Sequence, residues 1–289
     1  MRTTQTFHGD IRTIVIDGVT TSYLEAGNPC MPHVILLHSC EFGASSVFSW
    51  EYNIAALSAR YHVIAPDWLG YGGSDKLYDF GRGPLVPRLR QLQRLLGTLA
   101  ISDADFIANS CASSFLLQWT SELGSEYRRA LPIRRMILVS PSSIGSPGAG
   151  RNAHNAYDGS IESMRAIVAA SFHDPAWPAN ETYVERRQSS AQAPGHWEAV
   201  EAARFRMPGR ASSGMPTAEY DNCSVPLLLV TGANDKLIAE KDGAMDNGRR
   251  MLGHTGQFAV FEDSGHCSHI EHAEKFNQLA LEFMALDGV

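Results

Sequence analysis

The chain has 289 residues, of which 44% are hydrophobic and 19% charged, and these values favour a folded globular protein over a disordered one. The formal charge of −7 gives no support to a nucleic-acid partner, and no apolar run approaches the roughly 18 residues that span a bilayer. The segment from Met1 to Gly9 lacks the apolar core of a secretory signal. We therefore expect a cytoplasmic protein with neither a nucleic-acid nor a membrane partner.

Short, β-branched apolar runs recur along the chain and predict buried strands. They are Thr13–Asp17, Val34–Leu37, His62–Ala65, Phe106–Ala108, Met136–Val139, Leu227–Val230 and Phe258–Phe261. The Asp17-Gly18 pair predicts a hairpin turn at one edge of the sheet. Leucines from Leu89 to Leu99 and apolar residues from Phe276 to Met284 have helical spacing. Strands that alternate with helices predict a mainly parallel sheet with helices on both faces.

The alternation of strands and helices stops after Ser140 and resumes at Val225. The intervening stretch opens with a loop rich in Pro, Ser and Gly and continues with helical patterns that contain no convincing strand. We interpret residues 142–222 as a helical lid over the carboxyl ends of the strands. Residues 1–141 and 223–289 then form the two parts of a single core domain.

Five cysteines are present, and no two have the CxxC spacing of a zinc or redox motif. They are Cys30, Cys40, Cys111, Cys223 and Cys267. An odd number of cysteines cannot all pair, so a disulfide scaffold is not expected. The sequence predicts free thiols that pack as small apolar side chains, in a reducing compartment.

Ser110 follows the apolar run Phe106–Ala108 and precedes a helical pattern. Small residues, Ala108 and Ala112, stand two positions before and after it, as a sharp strand-to-helix turn requires. A serine in this place is a candidate nucleophile. The alternative interpretation is a helix N-cap, for which serine is among the preferred residues.

Asp235 and His266 strengthen the interpretation of Ser110 as a nucleophile. Each follows a predicted strand, so all three side chains are expected at the carboxyl edge of one sheet. An unaided serine hydroxyl is a poor nucleophile and needs a base, here His266, which Asp235 would orient. The order Ser, Asp, His along the chain therefore predicts a catalytic triad.

At this point the chain resembles the α/β-hydrolase superfamily. The stretch His38-Ser39-Cys40 resembles the strand end and oxyanion loop of that family, and Asp67–Asp75 resembles its Asp-x-x-Gly-x-Gly-x-Ser-Asp loop. The resemblance implies an α/β-hydrolase fold with a mostly parallel eight-stranded sheet and no cofactor. It also implies an oxyanion hole formed by the backbone N–H groups of Cys40 and Cys111.

Within the superfamily the chain is most similar to the meta-cleavage-product hydrolases, which cut a carbon–carbon bond. Asn109 before the serine, the segment after His266, and Arg187 in the predicted lid carry this similarity. By resemblance, Asn109 and Arg187 bind substrate, with Arg186 as the alternative arginine for a substrate carboxylate. Ser39 and Cys267 replace a glycine and a tryptophan of that branch and are further candidates for the substrate pocket.

The favoured function is hydrolysis of a C–C bond in a meta-cleavage-type diketone acid. A carboxylesterase or lactonase acting on a small hydrophobic ester is the alternative, and a non-catalytic binding protein is a third interpretation. The partner expected in each enzymatic case is a small carbonyl compound, and a homo-oligomer is possible. The histidines at 266, 269 and 272 do not have the spacing of a zinc motif, so we expect no metal.

Overall fold

The computed structural model describes residues 9–120, 131–202, 205, 225–239, 244–252 and 256–286. Its strands are β1 (Asp10–Ile16), β2 (Val19–Ala26), β3 (His33–Leu37), β4 (His62–Pro66), β5 (Ala104–Asn109), β6 (Ile133–Val139), β7 (Ser146–Pro147), β8 (Leu227–Gly232), β9 (Ile238–Ala239) and β10 (Gln257–Phe261).

Eight of these strands form one sheet in the order β1-β2-β4-β3-β5-β6-β8-β10. All neighbouring pairs from β4 to β10 are parallel, whereas β1 with β2 and β2 with β4 are antiparallel. The predicted eight-stranded, mostly parallel sheet is therefore confirmed. The first two strands join through Asp17 and Gly18, both with positive φ (+53° and +78°), as a tight hairpin requires.

Helices cover both faces of the sheet. They are α1 (Ser46–Trp50), α2 (Ile54–Ser58), α3 (Leu85–Thr98), α4 (Cys111–Thr120), α5 (Arg151–Asn155), α6 (Ile161–Ser171), α7 (Glu181–Ala191), α8 (His196–Glu201), α9 (Ala244–Met251), α10 (Ser268–Glu271) and α11 (Ala273–Ala285). No helix in the described ranges has the length and apolar character that a membrane crossing requires.

Side chains of β3 alternate between two apolar cores, as the period of a strand dictates. Ile35 and Leu37 lie in the core that contains the leucines of α3, and Val34 and Leu36 lie in the core that contains Phe276 of α11. The leucine and phenylalanine stripes read from the sequence are thus the buried faces of their helices. The two apolar cores cover the faces of the sheet, so the polar loops lie at the carboxyl ends of the central strands.

The segment between β6 and β8 contains α5 to α8, as its helical patterns predict. It also contains one strand that the sequence did not indicate, because β7 pairs antiparallel with β9. A strand of two residues inside a Pro-Ser-Gly stretch has no periodic signal. Part of the predicted lid, residues 203–204 and 206–222, lies outside the described residues, and so does Cys223.

Candidate active site

Ser110 lies at the turn between β5 and α4. Its φ of +56° is a left-handed conformation, which is strained for a residue with a side chain. The flanking Ala108 and Ala112 are fully buried where the strand and the helix meet. The Ser110 amide donates to the Val139 carbonyl at 2.8 Å and fixes the turn on β6. The structure thus contains the predicted strand, tight turn and helix around Ser110.

Asp235 and His266 meet beyond the ends of β8 and β10. One carboxylate oxygen, Oδ1, accepts from the backbone N–H groups of Leu237 (2.8 Å) and Ile238 (3.3 Å). The other, Oδ2, lies 2.7 Å from Nδ1 of His266. Because an ionised carboxylate only accepts, Nδ1 carries the proton and Nε2 is left as an acceptor. This tautomer is the one that a general base requires.

The Nε2 atom of His266 is the free end of this pair. It is buried and has no hydrogen-bond partner among the residues that the structure describes. A buried acceptor without a donor costs free energy, which a proton donor entering the site would offset. The nitrogen is therefore in a state to accept a proton from a nucleophile at the same edge of the sheet.

Glu271 fixes the loop that carries His266. This carboxylate is buried, and its two oxygens accept hydrogen bonds of 2.6–3.1 Å from Ser264, Gly265, His173 and Asp174. The first two donors belong to the His266 loop, and the last two follow α6. Glu271 therefore connects the loop that carries His266 to the helical segment.

His38 stabilises the loop after β3 as a neutral ring. Its Nε2 accepts from the Trp68 amide at 3.0 Å, and its Nδ1 donates to the Ser39 carbonyl at 2.6 Å. Burial lowers the pKa of His38 to about 4, so the imidazole is uncharged at neutral pH. The Trp68 indole also donates to the His38 carbonyl at 2.8 Å, so two hydrogen bonds join these residues.

Asp67 connects its own loop to the start of α1. Its Oδ1 accepts from the Ser46 amide at 2.7 Å, and its Oδ2 accepts from the Gly73 amide at 2.9 Å. Gly72 has φ +47°, and a side chain there would collide with the Asp67 carboxylate. The acidic loop thus positions the start of α1 next to the loop after β3.

The prediction of free thiols is wrong for Cys40 and Cys111, which form a disulfide with Cα atoms 6.1 Å apart. They are 71 positions apart in sequence, and only the pairing of β3 with β5 brings the two loops together. The bridge also removes the cysteine argument for a reducing compartment. Cys30 is free but exposed, contrary to expectation, whereas Cys267 is free and buried as predicted.

Loss of this disulfide is expected to lower the unfolding free energy by about 4 kcal/mol, because it closes a long loop of the unfolded chain. For a domain of this size that is a fall in Tm of about 10 °C. We expect this shift in the double variant Cys40→Ala, Cys111→Ala, measured by thermal unfolding without reductant, and no comparable shift in Cys30→Ala. The absence of a bridge would be shown if as many thiols titrate in the denatured protein before reduction as after it.

Arg187 of α7 points inward, as the choice of that residue over its neighbour requires. Its side chain is 3% exposed, its Nη2 lies 2.9 Å from Oε2 of Glu41, and its Nε donates to the Phe42 carbonyl at 3.2 Å. Arg186 instead lies at the surface and pairs with Glu51. The guanidinium predicted to bind a substrate carboxylate is thus already paired with a carboxylate of the protein.

The other predicted substrate residues have different surroundings. Asn109 is buried, and its Nδ2 has no hydrogen-bond acceptor within the described part of the chain. Ser39 is also buried, but its hydroxyl donates to Oε2 of Glu41 at 2.7 Å and so supports the Glu41–Arg187 pair. Burial raises the pKa of the Cys267 thiol, which keeps it protonated and unreactive.

Two acidic residues, Glu41 and Glu271, were not assigned roles from the sequence. Glu41 immediately follows Cys40, so its position beside a predicted oxyanion amide was a usable signal. Glu271 lies in the segment after His266 that carries the family resemblance. The role of His196, whose Nε2 accepts from the Gly43 amide at 3.1 Å, had no signal in the sequence.

Two of the three histidines near residue 270 have hydrogen-bond partners in the protein. His266 binds Asp235, and Nε2 of His272 lies 2.8 Å from the Asp263 carbonyl. Over the described ranges, no three His, Cys, Asp or Glu side chains lie together as a set of metal ligands.

Comparison with known proteins gives consistent matches. The sequence model of the alpha/beta hydrolase family matches residues 34–279. The 2-hydroxymuconate semialdehyde hydrolase of Pseudomonas sp. strain CF600 is 28% identical over 284 residues, covering 95% of this chain and 93% of that protein.

Solved structures show the same fold in enzymes with different names. The meta-cleavage product hydrolase of Pseudomonas fluorescens IP01 has a TM-score of 0.79 at 23% identity, covering 94% of this chain and 97% of that one. The carboxylesterase CesB of Bacillus subtilis has a TM-score of 0.73 at 18% identity, covering 96% and 92%. The fold alone therefore does not distinguish a C–C hydrolase from an esterase.

Proposed function

Because the chain belongs to the alpha/beta hydrolase family and is a serine hydrolase, we propose that Ser110, Asp235 and His266 are its catalytic triad. The observation that carries this proposal is the 2.7 Å contact of Asp235 with Nδ1 of His266, which leaves Nε2 as a free acceptor. The strained turn at Ser110 supports it, since strain of this kind is found where a side chain must be presented to a substrate.

In the proposed mechanism, the substrate carbonyl oxygen accepts hydrogen bonds from the backbone N–H groups of Cys40 and Cys111. The Ser110 Oγ atom attacks the carbonyl carbon while its proton moves to Nε2 of His266, and the charge on the oxygen is stabilised by the two amides. His266 then gives this proton to the leaving group as the bond to the carbonyl carbon breaks. Water, deprotonated by His266, adds to the acyl-enzyme and releases the acid and Ser110.

The disulfide between Cys40 and Cys111 supports the assignment of these two amides. It holds the loop after β3 and the start of α4 at a fixed separation, with a Cα–Cα distance of 6.1 Å. Hydrogen-bond donors for an oxyanion are most effective when they need no reorganisation during the reaction. A covalent link between the two donor residues is a direct way to achieve this.

We propose the helical segment 142–222 as the lid, with substrate entering between it and the core. Its described helices contact the loop after β3 through hydrogen bonds of Arg187 with Glu41 and Phe42, and of His196 with Gly43. A side chain at Gly43 would lie 2.9 Å from Cγ of Arg187, so the loop and α7 are closely packed.

For the bond that is cut, the favoured proposal is the C–C bond of a meta-cleavage-type diketone acid. It is supported by the relative named 2-hydroxymuconate semialdehyde hydrolase, which matches nearly the whole chain. As in that branch, the enol would tautomerise to the ketone before Ser110 attacks, and Asn109 and Arg187 would help to hold the substrate. The unpaired Nδ2 of Asn109 is a suitable donor for this purpose.

A second candidate, hydrolysis of a small ester or lactone, is favoured by one observation. Arg187 is paired with Glu41 at 2.9 Å, so its charge is already balanced without a substrate carboxylate. Esters and lactones need no such carboxylate, and the same triad attacks their carbonyl.

We expect these two candidates to be separated by turnover of a coloured 2-hydroxydienoate and of p-nitrophenyl esters, each compared with the Ser110→Ala variant. Loss of the dienoate absorbance that depends on Ser110 is the result expected for C–C hydrolysis. Turnover of the esters alone would reject C–C cleavage and leave the esterase. If the Ser110→Ala variant turns over both substrate classes as fast as the unchanged protein, the proposed triad is rejected.

A further inference from the structure

Glu41 is a largely buried carboxylate in the loop of the proposed oxyanion donor Cys40, and no role in the reaction uses it. It follows Cys40 in the chain, and its side chain is 10% exposed. Its two oxygens differ in their surroundings. Oε2 accepts from Ser39 at 2.7 Å and from Arg187 at 2.9 Å, whereas Oε1 is buried and has no donor within the described residues.

The Glu41 side chain is charged at neutral pH. Burial by itself raises the pKa of this carboxyl group and is the largest single effect, but Arg187, His154, His266 and the hydrogen bond from Ser39 together outweigh it and lower the pKa to about 2. His266 contributes in the same direction, so the carboxylate is within electrostatic reach of the proposed base. A buried, ionised oxygen without a donor is a costly arrangement unless a ligand completes it.

A ligand can satisfy the unpaired acceptor Oε1 of Glu41 only with a hydrogen-bond donor. A hydroxyl or an amide N–H would form a charge-assisted bond to it. A carboxylate would instead be repelled by Glu41, and it would compete for a guanidinium whose Nη2 and Nε already have acceptors. Both the charge and the hydrogen-bonding capacity of Glu41 therefore favour a substrate with a neutral donor over one with a carboxylate at this position.

We propose that Glu41 is a specificity-determining residue, which selects substrates with a hydroxyl or amide donor beside the attacked carbonyl and discriminates against a free carboxylate there. The inference rests on the proposed function, because it places the substrate carbonyl at Ser110. It favours the ester or lactone candidate, because the enol hydroxyl of a 2-hydroxydienoate stands next to a free carboxylate and not beside the attacked ketone.

The test uses boronic acids, which form a tetrahedral adduct through a bond from the serine oxygen to boron and do not depend on which bond is cut. Carboxyphenylboronic acid and its carboxamide counterpart are compared by calorimetric titration at neutral pH. We expect the carboxamide to bind the unchanged protein at least about tenfold more tightly, as loss of one charge-assisted hydrogen bond implies. Equal binding, or tighter binding of the carboxylate, would overturn the inference.

The Glu41→Gln variant tests the residue directly. Glutamine keeps an acceptor for Ser39 and Arg187 but removes the negative charge, so the preference for the carboxamide should fall at least about tenfold. The control is Glu51→Gln, which changes the neighbouring pair with Arg186 at the protein surface and should leave the ratio of the two affinities within about twofold. An unchanged ratio in Glu41→Gln would assign the preference elsewhere and reject the role of Glu41.

Two features keep the inference separate from the proposed function. The comparison of two ligands on the unchanged protein needs no variant to fold. Ser110→Ala should bind neither boronic acid as a covalent adduct, and adducts that persist in this variant would reject the triad and the inference together. Adducts that require Ser110 but show no carboxamide preference would reject the Glu41 inference alone.

Discussion

Replacing Ser110 with alanine is expected to lower kcat/KM by about 10⁴-fold or more, because no other group then attacks the carbonyl. We expect the unfolding free energy to change little, since the Ser110 hydroxyl makes no hydrogen bond to the residues that the structure describes. Steady-state kinetics and urea unfolding of the same preparations measure both effects.

The matched control is Ser114→Ala, one helical turn further along α4. The Ser114 hydroxyl lies 3.1 Å from that of Ser142 and accepts from the Ser143 amide at 3.1 Å, so its role is structural. Activity should stay within about tenfold of the unchanged protein in this control. Activity that survives in Ser110→Ala at the control level would place the nucleophile elsewhere.

Acidification is expected to destabilise the protein well above the range in which carboxylates titrate. Burial lowers the pKa of four histidines, to about 4 in three of them and about 3 in the fourth; they are His38, His154, His196 and His269. In the unfolded chain these rings take up protons near pH 6.5. The contribution of these four rings to the unfolding free energy is therefore fully present above pH 6.5. It is lost as the pH falls from there towards 4.

Each of these rings takes up one proton on unfolding. The unfolding free energy therefore changes by up to about 1.4 kcal/mol per pH unit for each histidine. We expect the unfolding free energy, measured in urea, to fall on the order of 5 kcal/mol between pH 7 and 5. His196→Gln should reduce this slope, because glutamine can replace its bonds to Gly43 and Gly70 without titrating. An unfolding free energy that is constant across this interval would contradict the neutral, buried state of these rings.

Much of the fold was predictable because its signals are local. The Asp17-Gly18 turn, the β-branched runs and the leucine stripe of α3 each lie within a few residues of sequence, and the structure has them as predicted. The candidate triad could be proposed for a related reason: Ser110, Asp235 and His266 each follow a strand within a few residues, and parallel strands end at one edge of a sheet.

Other features depended on contacts between distant segments. The Cys40–Cys111 bridge joins loops that only the pairing of β3 with β5 brings together. Glu41 and Arg187 are 146 positions apart, and each alone would be expected to be solvated. Their pairing changes the expected chemistry of the pocket, since an arginine available to a substrate carboxylate and an arginine neutralised by a glutamate favour different ligands.

The central claim is that Ser110 is a nucleophile activated by His266. Its most direct test is treatment of the folded protein with a fluorophosphonate, followed by mass spectrometry of the peptides. We predict one covalent adduct on Ser110 in the unchanged protein, slower formation of that adduct in Asp235→Asn, and none in Ser110→Ala. A folded protein that acquires no adduct on Ser110, or acquires it equally fast in Asp235→Asn, would contradict the proposed triad.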